Sequence, residues 1–299
     1  MEISDLKTFL AVADEGGFTA AARKLCCVQP NVTSRIKRLE EELGVQLFHR
    51  NSRHVEQTLY GRQFYHHAEK IVRLSREAAL TFQDESPRGP LSLGVTQTVA
   101  SGYLPALLCS FQKMCPDVEL TVQTMESRAL PDALLNHSLD IAFTELPVTH
   151  SSIVTANFWT QNLVLASSKT YDRASEKGVT ALTFSSACPY NDSMFAALKR
   201  QNIPVARQLN LYNMDTVLAC IIGGIGMGVV PACLVERPHI MPHVETLPVD
   251  ERDGLALVSM ITHRESIETA AVRSFKENAS ALMPTLINGG PEDARPISI

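Results

Sequence analysis

The chain has 299 residues, 45% hydrophobic and 20% charged, with a mean hydropathy near zero and a formal net charge of −5. That length holds two domains or one large one with ample core, and the negative sign argues against a general polyanion binder. Seven scattered cysteines with no CxxC pair argue against a disulfide framework and fit a reducing compartment.

Met1–Asp5 carries acidic residues and no apolar run, so it is not read as a signal peptide and a cytoplasmic location is expected. Leu6, Phe9, Leu10, Val12 and Ala13 recur at helical spacing, with Ser4 as the expected N-cap and Gly16 and Gly17 as the stop. A second short helix is predicted over Thr19–Leu25, where Ala20, Ala21 and Ala22 let another helix come close. A tight turn at Cys26–Val28 leads into a third helix over Gln29–Leu43. Pro30 fits its first turn, Val32, Ile36, Leu39 and Leu43 form its apolar stripe, and Gly44 supplies a left-handed cap. Phe48–Thr58 reads as a small hairpin or wing. Thr58 is the expected N-cap of a long helix reaching Glu85, with Phe64, Ala68, Ile71, Leu74 or Ser75, Ala78 and Phe82 on one face. So small a head cannot cover that stripe, so a partner helix is expected, with packing against the chain's own body as the alternative.

Pro87, Gly89 and Pro90 mark a hinge, after which strands alternate with helices. Strands are predicted at Leu91–Val95, Val118–Met125, Asp140–Phe143 and Leu163–Ala166, and helices at Leu104–Met114 and Ala129–Asn136. A second βα series occupies 180–262, a closing helix Ser266–Met283, and the tail from Asn288 is expected to be disordered. This implies an α/β architecture with mainly parallel strands. Val217–Val235 lacks charge, but Gly223, Gly224, Gly226, Gly228 and Pro231 break it into a buried helix, a turn and a buried strand, so no membrane span is expected. Cys109, Cys115, Cys220 and Cys233 are read as core residues.

Residues 23–62 carry eight Lys/Arg against four Asp/Glu, whereas 91–299 carry 14 against 20. A basic segment on an acidic body suits a protein that meets phosphates at one end, although a solvated face would look the same. Within that segment Gln29, Asn31, Thr33, Ser34, Arg35, Lys37 and Arg38 lie opposite the apolar stripe. Gln and Asn can pair with adenine edges, Arg with guanine, and a Thr methyl with thymine. A helix-turn-helix needs a small-residue helix, a tight turn and such a second helix.

The strings FTAAARKL (18–25), VQPNVTSRIKRLEEELGVQLFHR (28–50) and Thr58-Leu59-Tyr60-Gly61 together resemble the signature of the LysR-type transcriptional regulators. The resemblance implies a winged helix-turn-helix over 1–58, a dimerising linker helix over 59–87 and an effector-binding domain over 88–299. That domain would resemble a periplasmic binding protein, with lobe I near 91–162 and 266–284 and lobe II near 163–265. It places Gln29, Pro30, Asn31, Thr33, Ser34 and Arg35 at the major groove of promoter DNA. Lys37 and Arg38 would contact phosphates or their own helix, Arg53 the backbone or minor groove, and Arg50 a hinge or phosphate. Cys26, Cys27 and Val28 depart from the commonest family string, which puts a phosphate contact at Val28 in doubt. A homodimer or homotetramer, an RNA polymerase contact and no cofactor are implied.

Effector-binding candidates follow strand ends and helix starts: Thr96, Gln97, Thr98, Thr144, Glu145, Ser185, Cys188, Tyr190, Asn213 and Asp215. The hydroxyls and helix N–H groups near Thr96 suggest a small anion such as a carboxylate. The charges that relatives often carry at the Gln97 and Asn191 positions are missing, so recognition through that pair is not expected. Cys188 matches the reactive cysteine of peroxide-sensing relatives, which leaves a redox-sensing regulator as the alternative, although the next cysteine is Cys220. No Walker loop, GxSxG elbow, HExxH or dinucleotide fingerprint appears, so neither an enzyme nor a metal site is expected. A solute-binding protein would account for the lobes but not for Phe18–Leu43.

Overall fold

The structure, a computed structural model, describes residues 1–50, 55–81, 86–173, 177–184, 188–250, 254–266 and 268–287. The chain divides into two compact units, Met1–Glu85 and Ser86–Ile299.

The first unit runs α1 (Ile3–Glu15), α2 (Phe18–Lys24), α3 (Gln29–Leu43), β1 (Phe48–Arg50), β2 (Val55–Gln57) and α4 (Leu59–Thr81). The apolar periodicity becomes one core: Leu6, Phe9, Val12, Ala21, Val32, Ile36, Leu39 and Leu47 are all buried. The Phe9 ring lies 5.2 Å from Phe48 and 5.1 Å from Phe64, and burying a ring of this size contributes about 1.5–3 kcal/mol. Gly44 ends α3 at φ 69°, a backbone conformation open mainly to glycine. Ser4 is not the N-cap of α1. Glu2 takes that place, its amide donating to Asp5 at 3.3 Å, and the Ser4 hydroxyl turns to the Glu2 carboxylate at 3.1 Å.

Thr58 caps α4 as expected: its hydroxyl accepts from the Gly61 amide at 2.9 Å and donates to the Gln46 carbonyl at 2.7 Å. Ala68 is buried against the head, with Phe64 and Ile71 partly so, while further along Leu74 is 43% exposed and Ala78 is exposed. The expected apolar position at Phe82 lies outside the described residues.

The second unit contains β3 (Gly89–Val95), α5 (Gln97–Ser101), α6 (Leu104–Met114), β4 (Val118–Thr124), α7 (Leu130–Leu135), β5 (Ile141–Thr144) and β6 (Ile153–Ser168). It continues with β7 (Val179–Phe184), α8 (Tyr190–Arg200), β8 (Val205–Leu211), α9 (Met214–Ile222), β9 (Gly228–Pro231), α10 (Ala232–Val235), β10 (Val244–Pro248), β11 (Leu255–His263) and α11 (Ala270–Ile287). In its first half β3 pairs parallel with β4 and β5, and β11 runs antiparallel between β5 and the 153–162 part of β6. In its second half β7 and β8 are parallel, while β9 and β10 flank the 163–168 part of β6 antiparallel.

The sheet is therefore mixed rather than mainly parallel, because β6 and β11 pair antiparallel with their neighbours in the sheet. β6 is also far longer than the Leu163–Ala166 strand expected. Its first part hid in the sequence because polar Gln161 occupies an inward position between Trp159 and Leu163. The chain is back in the core of the first half by Val258, earlier than a lobe boundary at 265 would have it. The closing helix starts four residues late, at Ala270, where the Thr269 hydroxyl accepts from the Val272 amide at 3.3 Å.

The charge-free stretch divides as expected into α9, a glycine turn and β9, and no described helix is long and apolar enough to cross a membrane. Gly226 is required by close approach: a Cβ there would sit 2.3 Å from the Thr180 carbonyl oxygen. Cys115 is buried and Cys220 and Cys233 are partly so, but Cys109 faces water on α6 rather than the core.

Candidate functional site

Two sets of side chains are candidates for function, one in each unit. In the first, α2, a turn and α3 form a compact corner. Cys26 takes the left-handed conformation (φ 51°), and the amides of Cys26 and Cys27 close the end of α2 on the carbonyls of Arg23 (3.1 Å) and Ala22 (2.9 Å). This turn sets α3 so that Val32, Ile36 and Leu39 are buried while Gln29, Pro30, Asn31, Ser34, Arg35, Lys37 and Arg38 are exposed and Thr33 is half-buried.

Several of these side chains have partners. The Gln29 amide oxygen accepts from the Thr19 hydroxyl at 3.1 Å, which fixes the start of α3 against α2. Arg35 donates to the Ser4 carbonyl at 3.2 Å. Lys37 pairs along its helix with Glu41 at 3.5 Å. Arg38 reaches α1, where it binds the buried Asp5 carboxylate and, at 3.4 Å, Glu2. Its partners thus lie on a neighbouring helix rather than its own. Arg50 ends β1 opposite Val55, and Arg53 lies outside the described residues.

In the second unit, Thr96, Gln97, Thr98, Glu145, Cys188 and Tyr190 converge on a cavity of about 260 Å³. Thr96 caps α5, and Tyr190 opens α8. The cavity also takes in Thr124, Met125, Glu126, Ser127, Phe184, Pro189 and Tyr212, which the sequence reading missed. The rule that named Thr96 and Glu145 would have found most of them. Met125–Ser127 follow β4 and Tyr212 follows β8, and ligand sites gather beyond the ends of parallel strands.

Three expected residues stay out of the lining. Thr144 is buried, its hydroxyl accepting from the Leu146 amide at 3.1 Å in a turn. Asn213 caps α9 by accepting from the Thr216 amide at 3.0 Å, and Asp215 sits in the first turn of that helix. Each serves local structure, which accounts for its residue type. Ser185 lies outside the described residues.

The centre of the cavity is a hydrogen-bond network around Glu145. Its carboxylate accepts from the Thr96 hydroxyl at 2.8 Å, the Tyr190 hydroxyl at 3.0 Å and the Thr98 hydroxyl. Buried Gln161, also missed in the sequence, donates to the Tyr190 hydroxyl. Burial, reinforced by the Glu145 charge, pushes the Tyr190 phenol well above its ordinary pKa, so it remains a donor. Burial likewise pushes the Cys188 thiol up to about 12, outweighing the Tyr190 and Asn191 amides that favour its thiolate. A redox sensor needs the opposite shift. No cluster of three or more potential metal ligands occurs among the described residues.

Residues 3–62 match the bacterial regulatory helix-turn-helix protein model of the lysR family, and residues 84–283 match the LysR substrate binding domain model. The chain is 32% identical over 277 residues to the HTH-type transcriptional regulator CzcR of Bacillus subtilis (strain 168), covering 92% of this chain and 96% of CzcR. The crystal structure of CbnR, a LysR family transcriptional regulator, superposes with a TM-score of 0.68 at 23% identity over 94% of this chain and 99% of CbnR. Full-length CbnR complexed with its target DNA gives 0.67, at the same identity and coverage of both chains. With a helix-turn-helix head, a two-part α/β unit and family models that together span most of its length, this chain belongs to the LysR family of transcriptional regulators.

Proposed function

We propose that this regulator reads promoter DNA through α3, with Gln29, Pro30, Asn31, Thr33, Ser34 and Arg35 toward base edges in the major groove. Lys37 meets phosphate, and Arg50 and Arg53 approach the backbone from the wing. Arg38 has a different role: its bond to Asp5 holds α3 on α1 at the angle the groove requires. The observation that carries this reading is the division of α3 into a stripe locked in the head and an exposed polar side.

Residues 1–58 form the reading head, 59–87 the linker and 88–299 the effector domain. The exposed Leu74 and Ala78 on the far part of α4 suit pairing with the same helix of a second copy. Two such dimers form a tetramer in the cytoplasm. A small molecule in the cleft favours one domain arrangement and alters contact with RNA polymerase. Footprinting of the full chain on its own upstream DNA tests the reading. A protected dyad site with steeply salt-dependent affinity is expected. Equal affinity for that DNA and for random duplex would overturn it.

A further inference from the structure

We propose that the cleft takes a cationic effector, a small protonated amine or guanidinium on an apolar body, and rejects carboxylates. This rests on the reading of the cleft as the effector site, and the acids in its lining decide what it accepts. The Thr96 and Thr98 hydroxyls looked like anion donors in the sequence. Their protons, and that of Tyr190, already point at Glu145. An incoming carboxylate would find those donors taken and a fixed negative charge beside them.

The rest of the lining favours the same sign. It contains a second acid, Glu126, and no Lys, Arg or His among its described residues. The start of α8, which would otherwise attract an anion, has its Tyr190 and Asn191 amides directed at Cys188.

What the cleft does offer is an acceptor and aromatic rings. A carboxylate has about four lone-pair sites. Glu145 uses two on one oxygen and one on the other, which leaves room for one more donor. Phe184, Tyr190 and Tyr212 line the same space, and aromatic faces attract ammonium and guanidinium groups. A cavity of about 260 Å³ suits a small effector.

Isothermal titration of the full-length protein at neutral pH tests the proposal. The probes are benzylamine, agmatine and phenethylamine against the size-matched carboxylates benzoate and phenylacetate. At least one cation should bind and neither carboxylate should. Glu145→Gln should weaken the cation at least tenfold and let benzoate in, and Glu126→Gln, on the exposed rim, should weaken the cation less. A carboxylate that binds while the cations do not would overturn the proposal. So would a failure of all three cations at millimolar concentration, or cation binding unchanged in both variants. Circular dichroism on each variant separates a folding defect from a binding defect, and Glu126→Gln keeps the test open if Glu145→Gln does not fold. Promoter retention by the same preparations bears only on the regulator reading, so the two can fail separately.

Discussion

The side chains proposed to meet DNA and those that line the cleft are held in opposite ways. On α3 they stand in water, tied by single contacts such as Thr19 to Gln29 and Ser4 to Arg35. In the cleft Thr96, Thr98, Tyr190 and Glu145 are bonded to one another, and Thr96, Thr98 and Tyr190 are buried. A surface that meets a hydrated polyanion can leave its donors to water until the partner arrives. The buried polar groups of the cleft must be satisfied internally, because an unpaired buried group is costly. Three hydroxyls of the cleft are thus committed to Glu145 before any effector binds.

The largest expected effect sharpens this contrast by separating the units. Phe9→Ala removes a fully buried ring from the head and should cost about 3–5 kcal/mol there. Calorimetry should show the head transition falling while that of the second unit stays, with promoter retention lost and effector binding kept. A single transition moving as a whole would break the division.

The second prediction concerns the shielding of Cys188 in the cleft. With its pKa raised from 9.0 to about 12, Cys188 should present roughly a thousandfold less thiolate near neutral pH than an unperturbed thiol. Timed alkylation with peptide mapping should label exposed Cys26 and Cys27 long before Cys188. Because the folded state holds the proton, the contribution of this thiol to stability is complete below pH 9 and falls as pH rises toward about 12. Equal labelling rates would restore the redox reading.

Arg35→Ala comes next, and should cost about 1–3 kcal/mol at its own base pair and relax specificity there. Mobility shifts on operators altered one position at a time would show it. An equal loss on every sequence would make Arg35 a phosphate contact. The smallest effect is that of Lys37→Ala, which should weaken all duplexes alike and lower the salt slope by about 0.9. A change in sequence preference would assign Lys37 to base reading instead.

How far these sites could be read from sequence follows from the same contrast. The face of α3 is a local matter. Val32, Ile36 and Leu39 recur at helical spacing, so the residues opposite them are exposed by geometry alone. Strand ends likewise pointed to Thr96, Glu145 and Tyr190, all of which line the cavity. That Glu145 would consume the donors of the cleft was not legible, since its partners lie 45–49 residues away in sequence. Gln161 shows the same limit. It reads as an interruption of a strand, and its inward place makes sense only once the Tyr190 hydroxyl stands beside it. The Ser4 cap failed for a subtler reason: Glu2 and Asp5 could close the same helix end, and the carboxylate of Asp5 was already needed there for Arg38.

One consequence follows from β6. Its sixteen residues serve one half of the second unit as far as Asn162 and the other from Leu163 onward, with no loop between. Adding one residue at that junction would invert the facing of every side chain beyond it. The two halves therefore share a continuous strut, so the facing of side chains in one depends on the length of strand in the other.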